Sequence, residues 1–142
     1  MFTFKIKAQS LLSIALAACT SAIAFQSPTK AESSNISEFL VETSDTINQN
    51  LPMKLDRDTR WDSTFVGPGK MLSYNYTLLR YSATQIDSNL FARQFRPYLT
   101  NVLCNNSSSR IFRENEITMS VNVYDNSRIL ISRIKVSPNE CN

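Results

Sequence analysis

Trp61-Asp62-Ser63-Thr64-Phe65-Val66-Gly67-Pro68-Gly69-Lys70-Met71-Leu72-Ser73-Tyr74-Asn75-Tyr76-Thr77-Leu78 is the stretch that decides the fold class. Two runs rich in aromatic and β-branched residues flank Gly67-Pro68-Gly69-Lys70, a turn sequence. The stretch therefore predicts a hairpin with strands over about 58–66 and 71–81. If residues 67–70 form the loop, Phe65 faces Leu72, Ser63 faces Tyr74 and Trp61 faces Tyr76. Side chains alternate along a strand, so Trp61, Phe65, Leu72, Tyr74, Tyr76 and Leu78 share the core face. Asp62, Thr64, Met71, Ser73, Asn75 and Thr77 take the other.

Upstream, Ile36, Phe39, Leu40, Thr43, Ile47 and Leu51 recur at helical spacing and predict a helix from about 36 to 50. Asn35 stands three residues before Glu38, a capping-box spacing, and Leu51-Pro52 ends the helix. Downstream, Asp87 is placed to cap a second helix. Its inner stripe is Leu90, Phe91, Phe95, Tyr98, Leu99, Val102 and Leu103, and Pro97 predicts a kink or break in it. Residues 105–109 read as a loop, and 110–116 as a single helical turn at most.

A second hairpin follows. Ile117, Met119, Val121 and Val123 alternate with polar residues, and Asp125-Asn126 suits a two-residue turn. That turn sets Val121 against Leu130 and Ile117 against Ile134. Leu130, Ser132, Ile134 and Val136 then face inward, and Tyr124, Ile129, Ile131, Arg133 and Lys135 face outward. The expected fold is α+β: helix–hairpin–helix–hairpin, with a four-stranded antiparallel sheet and two helices packed on one face.

The chain has 142 residues, enough for one domain. Residues 1–24 have the pattern of a secretory signal. Lys5 and Lys7 precede the apolar run 11–18, and Ala22-Ile23-Ala24 is a cleavage site of the A-x-A kind. Leu16-Ala17-Ala18-Cys19 also resembles a bacterial lipobox, in which Cys19 is lipidated, so two processing routes are open. The apolar Ala22-Ile23-Ala24-Phe25 that follows Cys19 favours plain cleavage. Residues 25–34 are small and polar and suit a flexible leader. The expected organisation is therefore signal 1–24, leader 25–34 and one domain over 35–142, periplasmic or extracellular, with membrane contact only through a lipidated Cys19.

Cys104 and Cys141 remain as an even pair in an exported chain, and the simplest reading is a disulfide. There is no C-x-x-C and no histidine, which removes the commonest general base and most zinc sites. Losing Lys5 and Lys7 takes the 15 basic residues to 13, against 12 acidic ones. They are scattered, so nucleic acid is not an expected partner.

Three constellations bear on chemistry. Ser132–Lys135 matches S-x-x-K, but an odd spacing on a strand puts the two side chains on opposite faces. Ser27–Lys30 lies in the leader. Asp56 and Asp58 suggest the start of a calcium loop, but the Gly and closing Glu of an EF-hand are absent and Arg57 and Arg60 stand beside them. A solvated turn is the better reading. No catalytic residue, metal site or cofactor is expected.

Leu51-Pro52-Met53-Lys54-Leu55-Asp56, Thr59, Gly67-Pro68-Gly69-Lys70 and Leu72-Ser73-Tyr74-Asn75-Tyr76-Thr77-Leu78, with Cys141 after an amphipathic strand pair, resemble a group of small exported bacterial proteins of unknown function. The resemblance spans about 51 to 141. It implies an exported single domain with a disulfide and transfers no catalytic residue.

The functional expectation is a non-enzymatic exported module that binds an envelope or secreted protein, as an inhibitor or accessory factor. Its face would be Tyr124, Ile129, Ile131, Arg133 and Lys135, apolar residues ringed by polar ones. The structural alternative is that a loop or the leader covers these residues. The functional alternative is a small-molecule or lipid carrier, its ligand held between sheet and helices in a cavity lined by Trp61, Tyr74, Tyr76 and Phe95.

Overall fold

The computed structural model describes residues 33–141. The expected signal, Cys19 and most of the leader lie outside the described residues. Helix α1 (Ser33–Asn48) is followed by strands β1 (Met53–Lys54), β2 (Thr59–Gly67) and β3 (Met71–Leu78). Helices α2 (Ser88–Asn105) and α3 (Arg110–Glu114) then lead to strands β4 (Thr118–Tyr124) and β5 (Leu130–Val136). Short 3-10 turns occupy Ala83–Gln85, Ser107–Ser109 and Pro138–Glu140.

The fold is α+β, but the sheet differs from the expected one. It has five strands in the order β1-β2-β3-β4-β5 and is mixed, because β3 and β4 pair in parallel. The segment between them carries α2 and α3 back over the sheet, which returns the chain to the starting end of β3. A parallel neighbour requires such a crossover, whereas a hairpin reverses direction. Alternation alone carries no information about direction.

Both long helices present apolar stripes to one face. From α1 these are Ile36, Leu40 and Ile47, and from α2 Phe91, Phe95, Leu99, Val102 and Leu103. They meet Trp61, Leu72, Tyr74, Tyr76, Met119, Val121, Val123, Ile134 and Val136 in a single core. Asp87 caps α2 as expected, its carboxylate accepting from the Asn89 and Leu90 N–H groups at 2.9 Å each. Pro97 lies within α2 without breaking it. Asn35 does not cap α1, which already begins at Ser33, and its side chain is exposed. Leu51-Pro52, a cis peptide, does follow the end of that helix.

Both hairpins form, each with a register that alternation did not reveal. Trp61 faces Tyr76 as expected, but Ser63 pairs with Asn75, Thr64 with Tyr74 and Phe65 with Ser73. A bulge between Trp61 and Ser63 inserts one residue, Asp62, and reverses the phase of everything beyond it. Thr64 is therefore buried and Phe65 is on the outer face, 43% exposed. The loop is Pro68-Gly69-Lys70, with Gly69 in the left-handed region at φ 71°.

The inward turn of Thr64 has a purpose. β1 pairs with β2 only at Arg60 and Trp61, so the backbone of Thr64 lacks a strand neighbour on that side. The Asn48 amide replaces it. Its Oδ1 accepts from Thr64 N at 2.7 Å and its Nδ2 donates to Thr64 O at 2.9 Å. Ser44 Oγ and Thr64 Oγ1 lie 3.0 Å apart beside this contact, so α1 is keyed to β2 by a paired polar cluster.

The second hairpin turns through residues 125–129 rather than two residues. Val121 pairs with Ile134, not Leu130, and Tyr124 pairs with Leu130. The reason is Asp125. Its Oδ1 accepts from the Ser127 and Ile129 N–H groups and its Oδ2 from Ala83 N, all at 2.8 Å, with Arg128 at φ 65°. One carboxylate thus organises the turn and ties it to the segment entering α2.

The Ala83 N–H, with those of Ile129 and Ser127, holds the Asp125 carboxyl below its ordinary value. Because the folded pKa is the lower one, this stabilisation is present above the unfolded value of about 3.9 and is lost as pH falls through the folded pKa. Asp125→Asn is expected to destabilise the chain at pH 7, with the gap to wild type narrowing steadily below about pH 4. Urea midpoints at pH 7, 4 and 2.5 check this; a gap that does not change with pH would contradict it.

Cys104 and Cys141 are bonded, with Cα atoms 5.2 Å apart. The bridge joins the last turn of α2 to the segment after β5. Arg96 adds a charged contact there, its Nη2 donating to Glu140 Oε2 at 2.7 Å.

Candidate functional site

The sheet face turned away from the two long helices is a grid whose rows follow from the pairing register. One row runs Phe65, Ser73, Ser120, Lys135 from β2 to β5. The next runs Ser63, Asn75, Asn122, Arg133, and the third Arg60, Thr77, Tyr124, Leu130.

The middle row is one continuous chain of hydrogen bonds. Arg133 Nε donates to Asn122 Oδ1 at 2.8 Å, Asn122 Nδ2 to Asn75 Oδ1 at 2.9 Å, and Asn75 Nδ2 to Ser63 Oγ at 2.9 Å. Each amide donates one way and accepts from the other, which fixes the plane of the guanidinium at the end. Arg133 uses only Nε in this chain. Its Nη groups have no carboxylate partner among the described residues.

In the third row, Asp62 sits on the bulge. Thr77 Oγ1 donates to its Oδ2 at 2.5 Å, and Arg60 Nε binds its Oδ1. Arg60, Asp62, Asn75, Thr77, Tyr124 and Arg128 border a concave region of about 510 Å³. In the first row, Ser73 and Ser120 are each 1% exposed and lie low between Phe65 and Lys135. The Ser73 Oγ is buried with no hydrogen-bond partner.

Charge on this face is one-sided. Lys54 shares it with Arg60, its partner in the β1–β2 pairing, and Arg133 and Lys135 project from β5. Asp62 is the carboxylate set among them, and Arg60 already neutralises it. Lys54, Arg128, Arg133 and Lys135 have no ion-pair partner among the described residues. The edge nearest β5 is also apolar, with Ile129 56% and Leu130 42% exposed.

The face expected from sequence is therefore present in part. Arg133 and Lys135 project from it, Tyr124 is half-buried on it, and Ile129 is exposed in the adjoining turn. Ile131 is not on it. A bulge between Val123 and Tyr124 leaves Ile131 unpaired and turns its side chain into the core, 6% exposed. Leu130, expected inside, takes the outer position instead. Phe65, Ser63, Asn122 and Arg60 were not foreseen as members of the face. One clue was available: Asn75 and Asn122 sit within runs of strand formers, where asparagine is disfavoured unless its amide has partners.

Chemically the face can bind carboxylates. Ser132 is buried and Lys135 exposed on opposite sides of β5, as the spacing of that S-x-x-K match required. Asp56 Oδ1 accepts from the Asp58 and Thr59 N–H groups at 2.8 Å each, and Asp58 stands by Arg57 and Arg80, an arginine-neutralised turn. Among the described residues no group of three or more His, Cys, Asp or Glu side chains gathers closely enough to hold a metal ion. No described helix is long and apolar enough to cross a membrane.

Residues 35–131 match the family described as Domain of unknown function (DUF8479), and the chain belongs to that family. No curated protein matches the sequence. Among solved structures, the fold is similar to a protein from Pseudomonas aeruginosa described as secreted, 14% identical with a TM-score of 0.66. That likeness covers 82% of this chain and 100% of the other. It is also similar to EpsS, the pilotin of the Vibrio vulnificus type 2 secretion system, at 9% identity and a TM-score of 0.61, over 78% of this chain and 94% of that one. The type II secretion pilotin AspS of Vibrio cholerae is similar at 10% identity and a TM-score of 0.55, over 77% and 94%. These are likenesses of fold. The disulfide fits an extracytoplasmic location.

Proposed function

We propose that this chain is an exported, non-enzymatic module that binds a protein of the cell envelope, a secretion-system component being the leading class. The observation that carries the reading is the outer sheet face. It holds Arg133 oriented by a four-residue hydrogen-bond chain, leaves Arg133 and Lys135 without counter-ions among the described residues, and borders them with exposed Phe65, Ile129 and Leu130. A rigid polar centre beside apolar groups is the anatomy of a protein interface. The likeness of the fold to two pilotins supports the same class of partner. Location is periplasmic or extracellular, by cleavage after Ala24 or with a lipid at Cys19.

The carrier reading needed a cavity lined by Trp61, Tyr74, Tyr76 and Phe95. These side chains are themselves buried, with Trp61 at 0% exposure and its ring centroid 6.1 Å from that of Tyr74 and 6.0 Å from that of Tyr76. Burial also pushes the Tyr76 hydroxyl pKa far up, so it stays neutral. A packed aromatic cluster argues for core, and the binding-module reading stands ahead.

The test is affinity capture of the tagged full-length chain, crosslinked in cells of its own host, beside an unrelated exported protein with the same tag. Enrichment of an envelope protein over that control is the expected result. Equal recovery from both would overturn the reading.

A further inference from the structure

We infer that the segment of the partner seated on the outer face is acidic, its carboxylates paired with Arg133 and Lys135 and an apolar side chain lying against Phe65. This rests on the protein-binding reading and names the chemistry of the partner.

Three observations lead there. The first is charge. The described residues give Arg133 and Lys135 no carboxylate, while Asp62, on the same face, is already held by Arg60 and Thr77. An incoming acidic group therefore meets free cations and little repulsion. The second is preorganisation. Arg133 is fixed through Nε to Asn122, and behind it to Asn75 and Ser63, which leaves the fork of its Nη donors to engage a carboxylate at reduced entropic cost. The third is the row between Phe65 and Lys135. Ser73 and Ser120, each small and 1% exposed, keep its floor low beneath the exposed Phe65 and Lys135. The row crosses four strands, about 15 Å, so a few residues of extended chain reach from Phe65 to Lys135.

The experiment places a photoreactive benzoyl-phenylalanine at Phe65 and, separately, at Val41, which is 49% exposed on α1. The full-length chain is expressed in its host, cells are irradiated, and the crosslinked peptide is sequenced. The expected adduct from position 65 is a protein segment rich in Asp or Glu. Its yield should fall at least tenfold in Arg133→Glu/Lys135→Glu and be unchanged in Arg93→Glu/Arg110→Glu, which carries the same change of charge on the helices. Lys135→Glu alone, at an exposed side chain with no side-chain hydrogen bond among the described residues, should give the same direction if the double variant fails to fold.

A protein adduct from Val41 only would overturn this inference and leave the protein-binding reading standing. A segment from position 65 without acidic residues, one indifferent to charge reversal, or a lipid adduct there would also overturn it. No protein adduct from either position would overturn both.

Discussion

Trp61→Ala is expected to destabilise the chain by about 4 kcal/mol, within the range found when a large aromatic side chain is deleted from a packed core. Trp61 has no exposed surface and lies within the single core cluster. It pairs with Tyr76 across the first hairpin and packs on Tyr74 and Tyr76, all three within the cluster that receives the helices. Neighbours held by strand pairing cannot collapse into the space it leaves, so most of the cavity cost should persist. Its Nε1 is buried without a hydrogen-bond partner, so deletion removes no polar contact and the loss is one of packing. Urea unfolding followed by far-ultraviolet circular dichroism measures it, since the variant lacks the chain's single tryptophan. A loss below about 1 kcal/mol would contradict the packed-core description.

Removing the disulfide is the second large effect. The bonded cysteines are separated by 37 positions, and the chain-entropy relation for a loop of that length gives about 4 kcal/mol. At roughly 4–8 °C per kcal/mol for a domain of about this size, Cys104→Ser/Cys141→Ser should melt on the order of 20 °C lower. The location of the bridge sharpens the expectation. It ties the end of α2, the crossover helix, to the segment beyond β5, an edge strand whose inner face α2 covers. Scanning calorimetry of oxidised wild type beside the double variant measures the difference. Unreduced wild type should also resist thiol alkylation until unfolded and reduced. A shift of only a few degrees would mean that the unfolded chain is already compact across this loop.

How much of this could be read from sequence depends on whether a feature is local. The stripe Phe91, Phe95, Leu99, Val102 and Leu103 and the cap at Asp87 belong to one helix, and both were legible because helical spacing and capping are properties of neighbouring residues. Cys104 and Cys141 were legible for a different reason, since they are an even pair left in an exported chain. The first hairpin was legible through Gly67-Pro68-Gly69, and Trp61 was correctly set against Tyr76.

The errors in which residues face inward share one origin. Alternation has a period of two, so a single extra residue exchanges the two faces. Asp62 on β2 and Ile131 on β5 are those residues. The first sent Phe65 outward and Thr64 inward. The second buried Ile131 and exposed Leu130, which removed one member of the expected partner face and added another. Neither bulge is marked by glycine. What stabilises the first lies on other elements, with Thr77 on β3 receiving Asp62 and Asn48 on α1 receiving the backbone of Thr64. The turn before the second is set by Asp125, whose reach to Ala83 spans 42 positions.

The sequence by itself determined the helices, the two hairpins, the disulfide and the α+β class, because these follow from spacing, capping and residue type along short stretches. Only the tertiary structure decided that β3 and β4 run parallel, that β1 adds a fifth strand, and that Ser63, Asn75, Asn122 and Arg133 line up as one hydrogen-bonded row. The physical reason is that strand direction and register are chosen by contacts between elements far apart in the chain, where a helix returns the backbone and one carboxylate or amide settles which residues meet.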